Sequence, residues 1–131
     1  MYSGSHENYN TASDGVYIGT DYISLGSGGV TYFSNKGTGK IGPWELSTTY
    51  FRNGSIANSG SNSVAGVYLG TDGLNVSCGT AATTAIIRKT PNNGIYVNFG
   101  NKFIWDGSKL TIDGSGTFSG NLSAATGTFA G

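Results

Sequence analysis

The chain has 131 residues, with seven basic and seven acidic side chains and no formal net charge. Gly, Ser, Thr and Asn account for 66 of the residues, so half of the chain is small or turn-forming, and a large private core is not expected. The few cations form no Lys/Arg cluster and no apolar run approaches about 20 residues, so the sequence predicts neither a nucleic-acid partner nor membrane insertion.

Glycine placement argues against helices throughout the chain. A glycine in a helix interior costs about 1 kcal/mol relative to alanine, and glycines recur here every few residues. The longest window without one runs from Thr80 to Asn93, and it contains four threonines and Pro91. We therefore expect an all-β chain with at most one short helix, in that window.

The strongest internal signal is a repeat at a shift of 51 residues. This shift places Gly15–Leu25 on Gly66–Val76, with six of the eleven aligned pairs identical. A shorter echo lies at the end of the chain, where Gly-Thr-Phe at 116–118 returns at 127–129. We divide this single elongated β-repeat chain into an N-terminal leader 1–12, repeat one 13–63, repeat two 64–115, and the start of C-terminal Gly-Thr-Phe repeats 116–131.

Each copy of the repeat alternates apolar and polar residues with the period of a strand. In the first copy Val16 and Ile18 fall on one side of the predicted strand and Tyr17 on the other. The Gly-Thr-Asp break that follows predicts a strand, a turn and a second strand. Asp-Gly pairs, which favour tight turns, recur at 14–15, 72–73, 106–107 and 113–114. The sequence thus predicts short strands joined by Asp-Gly turns.

The apolar residues are too thinly spread to fill the interior of a sandwich or barrel built by one chain. The spacings of 51 and 11 share no rung length, so a solenoid of one chain is not predicted either. We therefore expect three identical chains that wind together and bury a narrow apolar stripe of each on a shared axis. The residues predicted for this trimer core are Val16, Ile18, Val67, Leu69, Leu110, Ile112, Phe118 and Phe129.

Three segments carry a resemblance to a known family. Gly66–Leu74, Lys40–Ser47 and Asn121–Phe129 resemble the repeats of tailed-bacteriophage tail-fibre and tail-tip proteins. The resemblance implies an elongated, intertwined homotrimer, similar to a triple-stranded β-helix, located on the virion tail and in contact with other tail proteins. It also implies a role as a stalk or as a segment that contacts a bacterial surface glycan or protein receptor. Pro43 and Tyr22 depart from the family pattern.

Aromatic residues supply the candidate receptor contacts. Tyrosine and tryptophan offer flat apolar faces with a polar group, which suits both sugar recognition and protein docking. The predicted binding residues are Trp44, Tyr50, Phe51 and Arg52, next to a segment at 53–63 that we expect to project as an exposed loop.

The sequence contains no recognisable catalytic arrangement, metal cluster or cofactor motif, so we expect no catalytic residues, no metal and no cofactor. Most of the aspartates stand in predicted turns. Two alternatives stay open. The chain could belong to a tail-associated glycan depolymerase whose site combines residues of neighbouring chains, or to a bacterial adhesin or tail-like bacteriocin fibre with the same repeats.

Overall fold

The computed structural model describes residues 2–4, 15–26, 31–92, 94–117 and 119, and within them it shows an all-β fold. The expected fold class is therefore confirmed at this level. The strands are β1 Tyr2–Gly4, β2 Gly15–Ile18, β3 Tyr22–Leu25, β4 Thr31–Ser34, β5 Gly39–Ile41, β6 Trp44–Leu46, β7 Tyr50–Gly54, β8 Ala65–Gly70, β9 Gly73–Cys78, β10 Thr84–Lys89, β11 Ile95–Phe99, β12 Phe103–Trp105 and β13 Leu110–Ile112.

The window without glycine forms little helix. It contains a single 3-10 turn at Ala81–Thr83, and strand β10 follows directly. The threonines and the adjacent Ile86 and Ile87 explain this, because β-branched side chains lose rotamer freedom in a helix and pack well on a sheet. No helix of the described residues is long and apolar enough to cross a membrane.

All thirteen strands form one antiparallel sheet in which the spatial order follows the chain order from β1 to β13. Each strand from β2 to β12 pairs with the strand before it and the strand after it, and β1 and β13 are the edges of the described sheet. At about 4.8 Å between neighbouring strands, twelve spacings extend the sheet over roughly 60 Å along the hydrogen-bonding direction. The described residues thus form a long meander, one layer thick.

The sequence repeat is a structural repeat. In the first copy, the antiparallel pairs between β2 and β3 run from Val16 with Leu25 to Ile18 with Ile23. In the second copy, β8 and β9 pair Val67 with Val76 and continue in the same register. A shift of 51 residues converts one set of pairs into the other, so both copies fold into the same hairpin.

Of the two residues that depart from the pattern of tail-fibre repeats, Pro43 lies in a turn and Tyr22 directly follows one. Gly73, which replaces the tyrosine of the first copy, has a φ of 143°. A Cβ built on it would approach the Ile87 carbonyl oxygen and lie 2.6 Å from Arg88 Cα. Tyr22 occupies the same position, as the first residue of β3, but without a positive φ. Pro43 lies in the two-residue turn between β5 and β6, beside Gly42 at a φ of 56°.

The connection between β7 and β8 does not project as expected. In this segment, residues 55–64, Ile56 and Ser59 are buried completely. The segment folds back over one face of the sheet. Together with Tyr68 and Ile86 of the strands, Ile56 makes up the buried hydrophobic core of the described residues.

Several sequence expectations fall outside the described part of the chain. Phe118 and Phe129 lie outside the described residues, as does the segment Asn121–Phe129 that resembles the family repeats. Most of the leader and of the C-terminal Gly-Thr-Phe repeats lie outside them too.

We expect Gly73→Ala to destabilise the chain more than Gly42→Ala. Both glycines have positive φ, which costs a residue with a Cβ about 1 kcal/mol. Only the Gly73 variant also places its Cβ against the backbone of β10, whereas a Cβ at Gly42 meets nothing within 4 Å. The free energy of unfolding in urea, followed by circular dichroism, should fall by about 2 kcal/mol or more for Gly73→Ala. Equal losses for the two variants would contradict this account of the turn.

Candidate functional site

The alternation of side chains gives the sheet two chemically different faces. Paired residues of neighbouring strands point to the same side, so the register assigns every strand residue to a face. We call one side the apolar face. Its exposed members are Ile18, Ile23, Leu25, Phe33, Ile41, Leu69, Val76, Ile87, Ile95, Phe99, Phe103, Leu110 and Ile112. Its half-buried members are Val16, Trp44, Leu46, Phe51, Val67, Leu74, Val97 and Trp105.

We call the opposite side the polar face. It presents tyrosines, hydroxyls, amides and charged groups, and Ile86 and Ile104 are its large aliphatic residues. Glu45 and Arg52 face each other across β6 and β7, joined by a 2.9 Å ion pair. The Arg52 guanidinium also lies over the Tyr50 ring and donates a hydrogen bond to the Ile56 carbonyl oxygen. These contacts attach the 55–64 segment to the polar face.

The chain exposes more surface than a compact monomer does, and its exposed large hydrophobic residues are gathered on one side. All thirteen large hydrophobic residues that are exposed in the described part of the chain lie on the apolar face. The chain exposes 8786 Å² in total, whereas a compact monomer of 13.5 kDa exposes roughly 6500 Å². Extended apolar patches of this kind mark interaction surfaces. The apolar face is therefore the first candidate functional site.

The residues predicted for a trimer core share this face. Val16, Ile18, Val67 and Leu69 lie on it in the two repeated hairpins, and Leu110 and Ile112 lie on it in β13. The structure thus places on one side of the sheet all six of the predicted core residues that fall within the described ranges.

The predicted receptor contacts are divided between the two faces. Trp44 and Phe51 lie on the apolar face, where their rings stack at a centroid distance of 4.7 Å. Tyr50 and Arg52 lie on the polar face, because consecutive strand residues point to opposite sides. The four residues therefore do not form one patch. All four lie in the strands β6 and β7 and not in a projecting loop.

The second repeat contains a hydrogen-bonded cluster that the sequence reasoning did not identify. Asp72, in the turn between β8 and β9, accepts hydrogen bonds from the Tyr68 hydroxyl at 2.7 Å and the Ser59 hydroxyl at 2.7 Å. The Ser59 backbone N–H donates a third bond to the same carboxylate at 2.9 Å. We call Ser59, Tyr68, Asp72 and the buried Asn75 the Asp72 cluster. It joins the 55–64 segment to the repeated hairpin.

The protonation equilibria of this cluster follow from its contacts. Burial alone would raise the pKa of Asp72, but hydrogen bonds from Ser59 and Tyr68 outweigh it and hold the pKa below its usual value. Burial and the bond to Asp72 raise the pKa of Tyr68 to about 12. At neutral pH the cluster therefore holds a carboxylate that accepts hydrogen bonds and a neutral tyrosine that donates one.

Asn75 lies under the 55–64 segment and is fully buried. Its side-chain amide donates hydrogen bonds to the backbone carbonyl oxygens of Ser59 at 2.9 Å and Ser61 at 2.5 Å. A signal for this role exists in the sequence, since the first copy of the repeat has the smaller Ser24 at the corresponding position. These two hydrogen bonds hold the 55–64 segment against the sheet.

No protein-family model matches the chain, and no curated protein or solved structure is similar to it. The resemblance to tail-fibre and tail-tip repeats therefore stays a prediction. Within the described ranges, no three His, Cys, Asp or Glu side chains come together in an arrangement that would hold a metal ion. The candidate functional features are consequently the two faces and the Asp72 cluster.

We expect Asp72→Asn to lower stability at neutral pH and to flatten its dependence on acid. A carboxyl group with a lowered folded pKa contributes stability above its unfolded pKa of about 3.9, and this is lost as the pH falls through the folded value. The free energy of unfolding at pH 7 should fall by about 1 to 3 kcal/mol, because hydrogen bonds to a charged group are lost. Urea unfolding measured from neutral pH to about pH 2 tests this.

Two serine variants provide the matched comparison for this experiment. Ser59→Ala removes a hydroxyl that donates to Asp72 and should shift stability in the same direction. Ser55→Ala changes an exposed residue of the same segment and should leave stability unchanged. An acid dependence that is as steep in Asp72→Asn as in the parent chain would refute the role of the cluster.

Proposed function

We propose that this chain is a non-enzymatic structural segment of a bacteriophage tail fibre or tail tip that contributes to attachment to the host-cell surface. In this proposal it functions on the virion tail as an intertwined homotrimer. Its further partners are other tail proteins and a glycan or protein receptor of the bacterial surface. The resemblance of the sequence repeats supports the proposed family, and the exposed apolar face supports the proposed partner chains.

The observation that carries the proposal is the chemical uniformity of the apolar face. Leu69 is 56% exposed and Ile95 is 58% exposed, and the other exposed members of the face lie between 37% and 49%. A sheet normally covers its apolar side with a second layer, and the described residues supply none. The chain exposes roughly 2300 Å² more than a compact monomer of its mass, as expected of a single open layer.

Copies of the same chain are the occupants that fit this face best. Its members are almost all aliphatic or aromatic, so two such faces complement each other over most of their area. Lys89, the last residue of β10, is a charged residue on this face and pairs in register with Ile95. Three copies arranged around an axis would bury all three apolar faces and leave every polar face in water. The number three and the winding, similar to a triple-stranded β-helix, follow from the family resemblance.

The carboxylates support a structural role over a catalytic one. Glu45 pairs with Arg52, and Asp113 lies 2.5 Å from the Lys102 ammonium. Asp106 accepts hydrogen bonds from the backbone N–H groups of Ser108 and Lys109 in its own turn. Each of these groups stabilises the fold at its position, as an aspartate does in a turn.

We expect Leu69→Glu to prevent assembly, because it places a charge where three apolar faces meet. In a monomer the same change would be harmless, since Leu69 is exposed there. Sedimentation equilibrium of the parent chain should give three times the chain mass of 13.5 kDa. The variant should give a monomer or fail to fold.

Thr111→Glu is the matched control for the assembly experiment, because it adds the same charge at an exposed position of the polar face. This variant should remain a trimer. A parent chain that is a stable, folded monomer or dimer would overturn the proposal, and so would a Leu69→Glu variant that assembles normally.

A further inference from the structure

Two clefts on the polar face occupy equivalent positions in the two repeats. The first has a volume of 270 Å³ and is lined by Asp21, Tyr22, Tyr32, Ser34, Lys36 and Thr38. The second has a volume of 380 Å³, and its lining includes Asp72, Arg88, Thr90, Pro91 and Tyr96. Both volumes are near the lower end of the range for small-ligand sites.

The backbone around the two clefts is the same. Asp21 and Asp72 are related by the 51-residue shift and end the Gly-Thr-Asp turn of each hairpin. The backbone carbonyl of each accepts a hydrogen bond from the strand that follows the hairpin. Asn35 N–H donates to Asp21 at 2.7 Å, and Lys89 N–H donates to Asp72 at 3.1 Å. The repeat therefore places a cleft beside the same turn in each copy.

The linings differ in sequence but share three chemical features. Each contains a tyrosine ring, a side-chain hydroxyl and at least one cation, which is Lys36 in the first cleft and Arg88 with Lys89 in the second. Each also contains a carboxylate that accepts hydrogen bonds within the fold, Asp21 from the Asn35 amide and Asp72 from Ser59 and Tyr68. The Arg88 guanidinium lies over the Tyr96 ring, 5.0 Å from its centroid. None of these cations is paired with a carboxylate in the part of the chain that the structure describes.

We propose that each cleft is a subsite for one acidic sugar unit of a surface polysaccharide. The sugar carboxylate pairs with Lys36 or Arg88, which is a charge-assisted contact. The sugar ring lies against the tyrosine, and the Ser or Thr hydroxyls bind the ring hydroxyl groups. The assignment rests on the proposed role in host-surface attachment, and it names the chemistry of the receptor.

The spacing of the clefts favours a polymer over a single small molecule. Six strand spacings separate the two positions, which is roughly 29 Å along the sheet. A polysaccharide presents the same unit many times and can occupy both clefts at once, so that weak subsites combine into strong binding. A trimer with the polar faces outward would carry six such subsites.

The test is isothermal titration of the full chain with an oligogalacturonate too short to span the roughly 29 Å between the clefts, and with its methyl ester. The ester keeps the ring and its hydroxyls but lacks the charge. We expect the acid form to bind at two sites per chain and the ester to bind roughly tenfold more weakly or worse. Equal binding of both forms would overturn the proposal, and so would no binding of the acid form to folded chain.

Substitutions assign the sites to the clefts. Lys36→Gln and Arg88→Gln should each leave one site per chain, and the double variant should leave none. Lys109→Gln removes an exposed lysine outside both clefts and should keep two sites. A loss in Lys109→Gln as large as in Lys36→Gln would contradict the assignment. If Arg88→Gln fails to fold, Lys36→Gln and the ester comparison still decide the question.

Sedimentation of the same samples separates this inference from the proposed function. A trimer that binds neither sugar overturns the cleft assignment and leaves the structural role standing. A monomer that binds the acid form at two sites supports the clefts and contradicts the trimeric fibre.

Discussion

The central constraint on this molecule is that its sheet is one layer thick. Hydrogen bonds between neighbouring strands satisfy the backbone N–H and C=O groups within the layer, but they do not cover the side chains on its two faces. The polar face is partly covered by its own chain through the 55–64 segment, which buries Ile56 and Ser59. The apolar face receives no comparable cover from the described residues. The free energy gained when a partner covers this face would therefore add to the stability of the folded chain.

The composition of the chain follows from this arrangement. Leu, Ile, Val and Phe number 27 among 131 residues, which is too few for a two-layer core. They suffice for one face of a single layer, because only alternate strand residues need to be apolar. The polar side then carries tyrosines, serines and asparagines, and glycines allow turns such as the one at Gly73. A sequence with few hydrophobic residues therefore has enough of them for one face of a single-layer sheet.

Local rules predicted the hairpins but not the returning segment. Alternate residues of a strand lie on the same face, so the alternation of Val16, Tyr17 and Ile18 was sufficient to predict which of them share a face. The 51-residue repeat implied that both hairpins have the same register. The same parity rule would have separated Phe51 from Tyr50 and Arg52, which are contiguous only in sequence. The position of residues 55–64 depends instead on contacts such as Ser59 with Asp72, thirteen residues apart. No periodicity of the segment indicates them.

The chemistry of the two faces also fixes which of them can turn inward. An inward polar face would bury Lys40, Glu45, Arg52 and Arg88 away from water, and the ion pair between Glu45 and Arg52 would compensate only part of that cost. An inward apolar face buries no such group at its centre. Assembly through the apolar face therefore leaves Tyr50, Arg52 and both clefts in contact with solvent. Because neighbouring residues of each strand lie on opposite faces, the proposed assembly and the proposed recognition would use the same strands without competing for the same side chains.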